Sequence, residues 1–433
     1  MPTSLRAEVV ELLQELIRVD TVNPPGNETA AAELLRAYLE ENGVACELLA
    51  RDPARANLVA RIPGAGDGPS LLLLSHTDTV LADPEEWRVG PWSGELRDGC
   101  VWGRGALDMK GQVAASAVAI ASLAREGFRP RGDLLFAATA DEEVGDGEYQ
   151  GLRWLCEEHS DAVRCDYAVN EGAGDRLELG GRVFYTCAAA EKTSSPFRLL
   201  VHGRSGHAAL PGIADNALVK AAGLIERIAA YREEPRLGPE TEAFLAAVVG
   251  HVPSADDALA AARAVDPGAA EIVEPLLMTT LAPTKISASD KRNVIPGLCD
   301  LTVDCRLPPG ESQEDIDRAL RAWLGDGDYE LVWRGAQGGT RSPMGTPLWQ
   351  AIEAFVAEAE PGAVAVPVCV AGFTDSHWLR AAFGTVAYGF FPVRFMEAEL
   401  VNRLVHSADE RIDERDLALG VDLLRHVALA IGR

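Results

Sequence analysis

A histidine and an aspartate follow a run of four leucines. Residues 71–75 predict a strand buried on both faces, and His76 and Asp78 come directly after it. Because these two residues are two positions apart in extended chain, their side chains point to the same face. A carboxylate beside an imidazole can orient that imidazole as a metal ligand. Taken alone, the pair also describes a strand-end histidine beside a solvated aspartate, which is the commoner case for so short a motif.

Carboxylates follow two further predicted strands. Glu142 and Glu143 come after the apolar strand at 133–140, and Glu171 comes after the strand at 166–170. Adjacent carboxylates repel each other, so either a cation offsets their charge or they turn into water. Since ligands of α/β proteins bind at the carboxyl ends of the strands, we expect these side chains to share one edge of a sheet.

Asp108 lies in a glycine-rich stretch at 103–111. Its glycines could indicate a dinucleotide-binding loop, but Asp108 stands where the third glycine of that motif belongs, and no clear strand–turn–helix unit surrounds it. We therefore interpret the glycines as a tight turn that presents Asp108 as a further carboxylate near the strand ends.

The elements that position these residues alternate between helix and strand. We predict an α/β fold with a mixed, mostly parallel sheet flanked by helices, and an inserted α+β two-layer domain of ferredoxin-like order. The inserted domain follows from a β-α-β-β-α-β pattern at residues 197–201, 216–231, 279–289, 298–306, 311–324 and 329–334. The predicted domains are a catalytic domain at 1–190 and 339–433 and an inserted domain at 191–338.

Three segments depart from this alternation. A mostly Ala-rich helical segment at about 232–277 interrupts the inserted domain. Residues 83–101, rich in Pro, Trp and Gly, predict a long loop over the edge that carries the polar side chains. A helix is predicted at 147–159, after the two glutamates.

Composition limits the function classes. The 433 residues are 47% hydrophobic and 24% charged, as in ordinary globular proteins, and exceed what one core usually supports. The net charge of −26 argues against nucleic acid and anionic membrane surfaces as partners. Eight scattered cysteines without Cys-x-x-Cys spacing indicate reduced thiols. With no signal-like or membrane-length apolar run, we expect a cytoplasmic protein.

Taken together, the motifs resemble those of the M20 family of metallopeptidases and aminoacylases. They occur in the family's order and span most of the chain. The matching stretches are Ser75-His76-Thr77-Asp78-Thr79-Val80, Gly103 to Gly111, Asp141-Glu142-Glu143-Val144-Gly145, Glu171, Gly206-His207 with Pro211, Asn293 to Gly297, Asp304-Cys305-Arg306 and His406.

The resemblance implies a centre of two divalent metal ions bridged by Asp108 and a water. His76 and Glu171 would complete the coordination of one ion, and Glu143 and His406 would complete that of the other. Nitrogen and oxygen ligands suit zinc, with cobalt or manganese as alternatives. Asp78 would orient His76, and Glu142 would be the general base that later protonates the leaving amine.

The resemblance also assigns residues of the inserted domain. His207 and Asn293 would reach the site from a partner subunit and stabilise the oxyanion, so we expect a homodimer with the inserted domain as lid and dimerisation domain. Arg306 would hold the substrate carboxylate, with a surface ion pair as its alternative role. Thr374 would lie in a turn that contacts substrate.

The function implied is hydrolysis of an amide or peptide bond in a dipeptide or an N-acyl amino acid with a free carboxylate. One alternative is a metal-free homologue with a binding or regulatory role. Another is a deacetylase or desuccinylase of amino-acid biosynthesis, a group that lacks a segment like the one at 232–277.

Overall fold

The computed structural model describes residues 4–144 and 149–433 of the chain. These residues form two compact units. The first unit comprises Met1–Ala189, Ser342–Val368 and Thr374–Arg433, and the second comprises Ala190–Arg341 and Cys369–Phe373. Gly145 and the start of the helix predicted at 147–159 lie outside the described residues.

The secondary structure of the described residues follows in chain order. The α-helices are α1 (Leu5–Arg18), α2 (Glu28–Glu41), α3 (Lys110–Arg125), α4 (Leu152–Glu158), α5 (Ser160–Val163), α6 (Ala217–Ala229), α7 (Pro239–Val249), α8 (Ala255–Val265), α9 (Pro267–Val273), α10 (Gln313–Leu324), α11 (Pro347–Ala359), α12 (Ser376–Phe383), α13 (Ala398–Leu404) and α14 (Glu414–Ile431). The strands are β1 (Ala45–Leu49), β2 (Asn57–Ile62), β3 (Leu71–His76), β4 (Glu95–Arg97), β5 (Cys100–Trp102), β6 (Leu134–Thr139), β7 (Tyr167–Asn170), β8 (Arg176–Leu179), β9 (Arg182–Glu191), β10 (Thr193–Ser194), β11 (Phe197–His202), β12 (Gly206–His207), β13 (Thr280–Ser287), β14 (Val294–Ile295), β15 (Leu298–Leu307), β16 (Tyr329–Trp333), β17 (Gln337–Gly338), β18 (Val364–Val370), β19 (Val386–Gly389) and β20 (Arg411–Asp413).

A mixed sheet is the centre of the first unit. Its strand order is β1-β2-β6-β3-β7-β19-β9-β18, with β8 paired to β9. The pairs β6–β3, β3–β7 and β7–β19 are parallel, whereas β1–β2, β2–β6, β9–β19 and β8–β9 are antiparallel. The predicted mixed sheet of an α/β fold is confirmed, but the sheet is not mostly parallel. The three parallel pairs form its middle, and four of the pairs named here are antiparallel. Every residue of β3 is buried, as its four leucines predicted.

Helices pack against this sheet. Helix α3 contacts α1, α14 and β3, and its residues from Lys110 to Leu123 are all buried. Its many alanines allow close packing because they carry little side-chain volume. Lys110 keeps its ammonium satisfied by donating to the carbonyl oxygens of Leu16, at 3.0 Å, and Val19, at 2.8 Å.

The segment at 83–101 is more ordered than predicted. It contains the short strands β4 and β5, and β20 from near the C-terminus pairs with β5. Trp87 and Trp102 are buried, so packing explains both tryptophans.

The second unit contains an antiparallel sheet in the order β16-β11-β15, with β13 on the other side of β15. Helix α6 lies between β11 and β13 in the chain, and α10 lies between β15 and β16. The order along the chain is therefore β-α-β-β-α-β. Helices α7, α8 and α9 occupy the segment at 232–277.

Candidate metal centre

The carboxyl ends of three neighbouring parallel strands bring the first site residues together. His76 is the last residue of β3 and pairs in register with Thr139, the last residue of β6. Glu142 and Glu143 follow β6, and Glu171 follows β7 on the other side of β3. Because parallel strands end at the same edge, residues nearly a hundred positions apart become neighbours.

Asp108 contacts both histidines of the cluster. Its Oδ1 lies 3.1 Å from Nε2 of His76, and its Oδ2 lies 3.0 Å from Nε2 of His406. The same Nε2 of His76 is 3.6 Å from Oε1 of Glu171, and that of His406 is 3.2 Å from Oε2 of Glu143. One carboxylate therefore stands between two imidazoles, each of which has a second carboxylate beside it.

Among the residues that the structure describes, two groups of three donors lie close enough to hold a metal ion. One is His76, Glu142 and Glu171, the other is His76, Asp108 and Glu143, and within each group the ligand atoms lie within 4.8 Å of one another. Oε1 of Glu143 is buried and has no hydrogen-bond partner among the described residues. An unpaired buried carboxylate oxygen is costly, and a cation would satisfy it. The donor set of imidazole and carboxylate therefore fits divalent metal ions.

The glutamates of this cluster hold their protons more tightly than usual. Burial raises the pKa of Glu142 well above its ordinary value, and the charges of Glu171 and Glu143 raise it further. Burial raises the pKa of Glu171 to about 7, with a further rise from the charge of Asp108, and burial likewise raises the pKa of Glu143. Carboxylates that are crowded together without a bound cation repel each other, which raises their pKa values. Raised pKa values at such a cluster are therefore typical of a cation-binding site without its cation.

The histidines show the complementary effect. Hydrogen bonds to Asp108 and Glu143 raise the pKa of His406 to about 10. Burial opposes protonation of His76, but the charge of Glu171 and the hydrogen bond to Asp108 outweigh it, so its pKa also rises. Burial would raise the pKa of Asp108, but the hydrogen bonds of His406 and His76 hold that pKa below its usual range.

Asp78 is fully buried and links His76 to the two glutamates. Nδ1 of His76 lies 3.1 Å from the carbonyl oxygen of Asp78 and 3.5 Å from its Oδ1. The Asp78 carboxylate accepts hydrogen bonds from the backbone N–H groups of Glu142 and Glu143, both at 3.1 Å. Asp78 thus fixes the backbone that carries the glutamates as well as contacting the histidine.

Asn23 is a site residue that the sequence analysis missed. Its Nδ2 donates to Oδ2 of Asp78, at 2.9 Å, and to Oδ1 of Asp141, at 3.2 Å. Asp141 has a positive φ of 63° and pairs with Arg55, whose guanidinium also binds the buried carboxylate of Glu28. Asn23 is followed by two prolines in the sequence, and no local pattern there connects it to a residue 118 positions away.

A further buried acid, Asp375, also lies near these strand ends. It accepts a hydrogen bond of 3.1 Å from Oγ1 of Thr139, and burial raises its pKa to about 7. The adjacent Thr374 is buried, and its Oγ1 accepts from the N–H of Ser376 at 3.3 Å. Thr374 and Asp375 therefore belong to the first unit, and Asp375 contacts the end of β6.

The other three predicted residues lie in the second unit. His207 pairs with Val294 across β12 and β14, and the N–H of Ala208 donates to the carbonyl oxygen of Asn293 at 3.0 Å, so His207 and Asn293 are neighbours. Both are exposed.

Arg306 is paired within its own strand. Its Nε and Nη2 donate to the carboxylate of Asp304 at 2.9 and 3.1 Å. This ion pair is the alternative that the sequence left open for Arg306, and the guanidinium keeps further N–H donors beyond the two it uses here.

Known proteins are similar in sequence to this protein over most of its chain. The sequence profile of Peptidase family M20/M25/M40 matches residues 72–430. Aminoacylase-1 from Sus scrofa is 26% identical over 429 residues, which cover 98% of this chain and 95% of that protein. A succinyl-diaminopimelate desuccinylase from Cereibacter sphaeroides is 29% identical over 419 residues, 93% of each chain.

A solved structure shares the fold. The M20 family metallo-carboxypeptidase from Sulfolobus solfataricus superposes with a TM-score of 0.74 at 17% identity, covering 98% of this chain and 99% of its own. Since the family profile spans most of the sequence, this protein is a hydrolase that belongs to the peptidase family M20/M25/M40.

Proposed function

We propose that this protein is a di-metal amidohydrolase that cleaves the amide or peptide bond of a dipeptide or an N-acyl amino acid with a free carboxylate. The observation that carries the proposal is the position of Asp108, whose two oxygens face His76 and His406. Such a carboxylate is suited to bridge two ions.

In this proposal each ion has three protein ligands. His76, Asp108 and Glu171 would hold one, and Asp108, Glu143 and His406 would hold the other. The three carboxylates offset much of the charge of two divalent ions, and the unpaired oxygen of Glu143 gains a partner. Zinc suits this mixture of nitrogen and oxygen donors, and cobalt or manganese would also fit.

The protein's own residues carry the protons. When bound, the metal ions would polarise the scissile carbonyl and acidify a water molecule. Glu142 takes a proton from the attacking water as its oxygen bonds to the carbonyl carbon. As the C–N bond breaks, Glu142 gives that proton to the leaving amine nitrogen. Asp78 keeps His76 and the glutamate backbone in place throughout, so its role is to orient these groups.

Substrate recognition is assigned to residues of both units. His207 and Asn293, neighbours in the second unit, donate to the developing oxyanion from the partner subunit of a homodimer. Arg306 exchanges part of its pairing with Asp304 for the substrate carboxylate, and Thr374 contacts the substrate.

All eight cysteines are free thiols, which supports a reducing, cytoplasmic location.

A desuccinylase or deacetylase activity is the second candidate. It is favoured by the desuccinylase relative, which aligns over 93% of this chain. Against it stands the helical segment with α7, α8 and α9, which by the resemblance such enzymes lack. A metal-free binding protein is disfavoured because every predicted ligand is present.

Hydrolysis of a panel of dipeptides, N-acetyl amino acids and N-succinyl amino acids by metal-loaded protein tests the proposal. We expect turnover of dipeptides or of several N-acetyl amino acids, loss of turnover on chelation, and recovery on adding metal. Turnover confined to N-succinyl substrates, or to the N-acetyl form of one amino acid, would favour the second candidate. No turnover of any member by protein with bound metal would contradict both.

A further inference from the structure

Glu410 lies inside the first unit with every carboxylate hydrogen bond made to one loop. Its side chain is fully buried. Oε2 accepts from Nη1 of Arg104 at 2.6 Å and from the N–H of Gly105 at 3.1 Å. Oε1 accepts from the N–H groups of Leu107, at 2.7 Å, and Asp108, at 3.1 Å. A single carboxylate thus holds most of the turn that presents Asp108.

The same residue is four positions after His406. Its backbone also joins the loop, because its carbonyl oxygen accepts from the N–H of Gly103 at 2.9 Å. His406 and Asp409 have positive φ angles of 58° and 63°, a conformation that non-glycine residues adopt only when surrounding contacts hold them. Glu410 supplies such contacts at the end of this segment.

The two chain segments are otherwise far apart in sequence. Asp108 and Glu410 are 302 positions apart, yet the Nε2 of His406 lies 3.0 Å from the Oδ2 of Asp108, and the two atoms would have to stay close to face one ion. Side-chain torsions alone would leave this separation loose, whereas four hydrogen bonds to a buried carboxylate fix it. Bonds to an ionised acceptor in a low-dielectric interior are also stronger than neutral ones.

We propose that Glu410 is a positioning residue that sets the distance between Asp108 and His406 and so determines how tightly the ion between them is held. This inference rests on the proposed metal centre and assigns Glu410 no contact with substrate or metal.

The test is a Co²⁺ titration of metal-free protein, followed by visible absorption and calorimetry. Glu410→Gln keeps the shape of the side chain but replaces one acceptor oxygen with an NH₂ group, which opposes the loop N–H donors. We expect the ion held by His406 to bind about 10–100-fold more weakly than in the wild type. The ion held by His76 should be weakened less, because His76 is anchored through Asp78 instead.

Asp416→Asn is the matched control. Asp416 is also fully buried and also accepts from backbone N–H groups, those of Arg394 at 2.7 Å and Phe395 at 3.0 Å, but none of these belongs to the metal cluster. Both variants should melt at a lower temperature than the wild type, and only Glu410→Gln should bind Co²⁺ more weakly.

Unchanged Co²⁺ affinity of Glu410→Gln, or equal weakening in Asp416→Asn, would overturn the inference. If Glu410→Gln does not fold, Glu410→Asp replaces it, since it keeps the charge but withdraws the oxygens by one methylene, and the same weakening is expected. A wild-type protein that binds no Co²⁺ would instead refute the proposed metal centre and this inference with it.

Discussion

Two histidines and several carboxylates lie close together at the end of the sheet, and their pKa values are shifted by burial and by one another's charges. The residues are His76, His406, Asp78, Asp108, Glu142, Glu143 and Glu171. Burial raises the pKa values of Glu142, Glu143 and Glu171, while contacts with carboxylates raise those of His76 and His406. In the protein alone, protons shared between acids and imidazoles offset the charge. Divalent ions would replace those protons. Two experiments on single residues test this, one on the proton carrier and one on proton release.

The first test concerns the proton carrier. Glu142→Gln should lower turnover by at least about 10²–10⁴-fold, because one residue serves two proton transfers. Metal content should remain that of the wild type, since Glu142 is not one of the proposed ligands. His406→Ala is the comparison, and it should lose metal as well as activity. Near-normal turnover of Glu142→Gln, or loss of its metal, would show that the role is wrongly assigned, and loss of metal would favour the group that joins Glu142 to His76 and Glu171.

The second test is the pH dependence of metal uptake. The pKa of His406 is raised to about 10 and that of His76 is also raised, so the metal-free protein favours the protonated form of both imidazoles. Ligation needs neutral imidazole, so metal binding must release protons, and affinity must rise with pH up to about 10, the pKa of His406. Calorimetry in buffers of different ionisation enthalpy measures the release.

The control for proton release is His202→Ala, which removes an exposed histidine of the second unit. It should leave the number of released protons unchanged, whereas His406→Ala should reduce it. Metal uptake that releases no protons and does not vary with pH would contradict the proposed ligation by these histidines.

At the scale of elements, the loops after β3 and β6 are tied together by a buried hydrogen-bond network. Asn23 lies at its centre, between Asp78 and Asp141. Asn23→Ala leaves both carboxylates short of a donor, so we expect a loss of about 1–3 kcal/mol in the free energy of unfolding. Because Asp78 also holds the backbone of Glu142 and Glu143, metal affinity or turnover should fall by about 10–100-fold.

Asn27→Ala is the matched control for Asn23→Ala. Asn27 belongs to the same loop, and its side chain donates, within the described part of the chain, one long, exposed hydrogen bond of 3.4 Å to the carbonyl oxygen of Asp20. Its substitution should change both quantities little. Equal effects of the two substitutions would mean that the network does not support the site.

Apolar runs in the sequence predicted the middle strands of the sheet in the first unit, but not strands β9 and β18 at one end of it. The leucines of β3 and the polar residues after β3, β6 and β7 were sufficient to predict a cluster at one edge. Strand β9 was not predicted because alanines, which have low strand propensity, make up part of it. Strand β18 was not predicted because Pro367 argues against a strand, but Pro is tolerated at the edge of a sheet, where β18 lies.

The supporting residues of the site could not be predicted from the sequence. Asn23 and Glu410 contact residues more than fifty and three hundred positions away, respectively. Such contacts depend on the order of strands in the sheet, which the alternation of apolar and polar residues does not encode. Local patterns and the family resemblance therefore predicted the proposed site residues, whereas only the fold shows the residues that hold them.

At the scale of the whole molecule, the proposed ligands and the proposed oxyanion donors belong to different units. His207 and Asn293 lie in the second unit, and all the proposed ligands lie in the first. None of the helices that the structure describes is both long and apolar enough to cross a membrane. The proposal assigns the oxyanion donors of each site to the partner subunit of a homodimer.

Mixing two inactive variants tests that assignment. His207→Ala and Glu142→Ala should each be inactive alone. After subunit exchange, half of the dimers should be mixed, each with one site that has both residues intact, so about a quarter of wild-type activity should return. Confirmed exchange without recovery, or a fully active monomer, would contradict a site shared between subunits.

The metal content of the purified protein shows whether the chain binds two divalent ions. Elemental analysis after growth or dialysis with excess zinc should find about two divalent ions per chain, and fewer in both His76→Ala and His406→Ala, because each variant loses a ligand of a different ion. No more than a trace of metal in the supplemented wild-type protein would contradict the account.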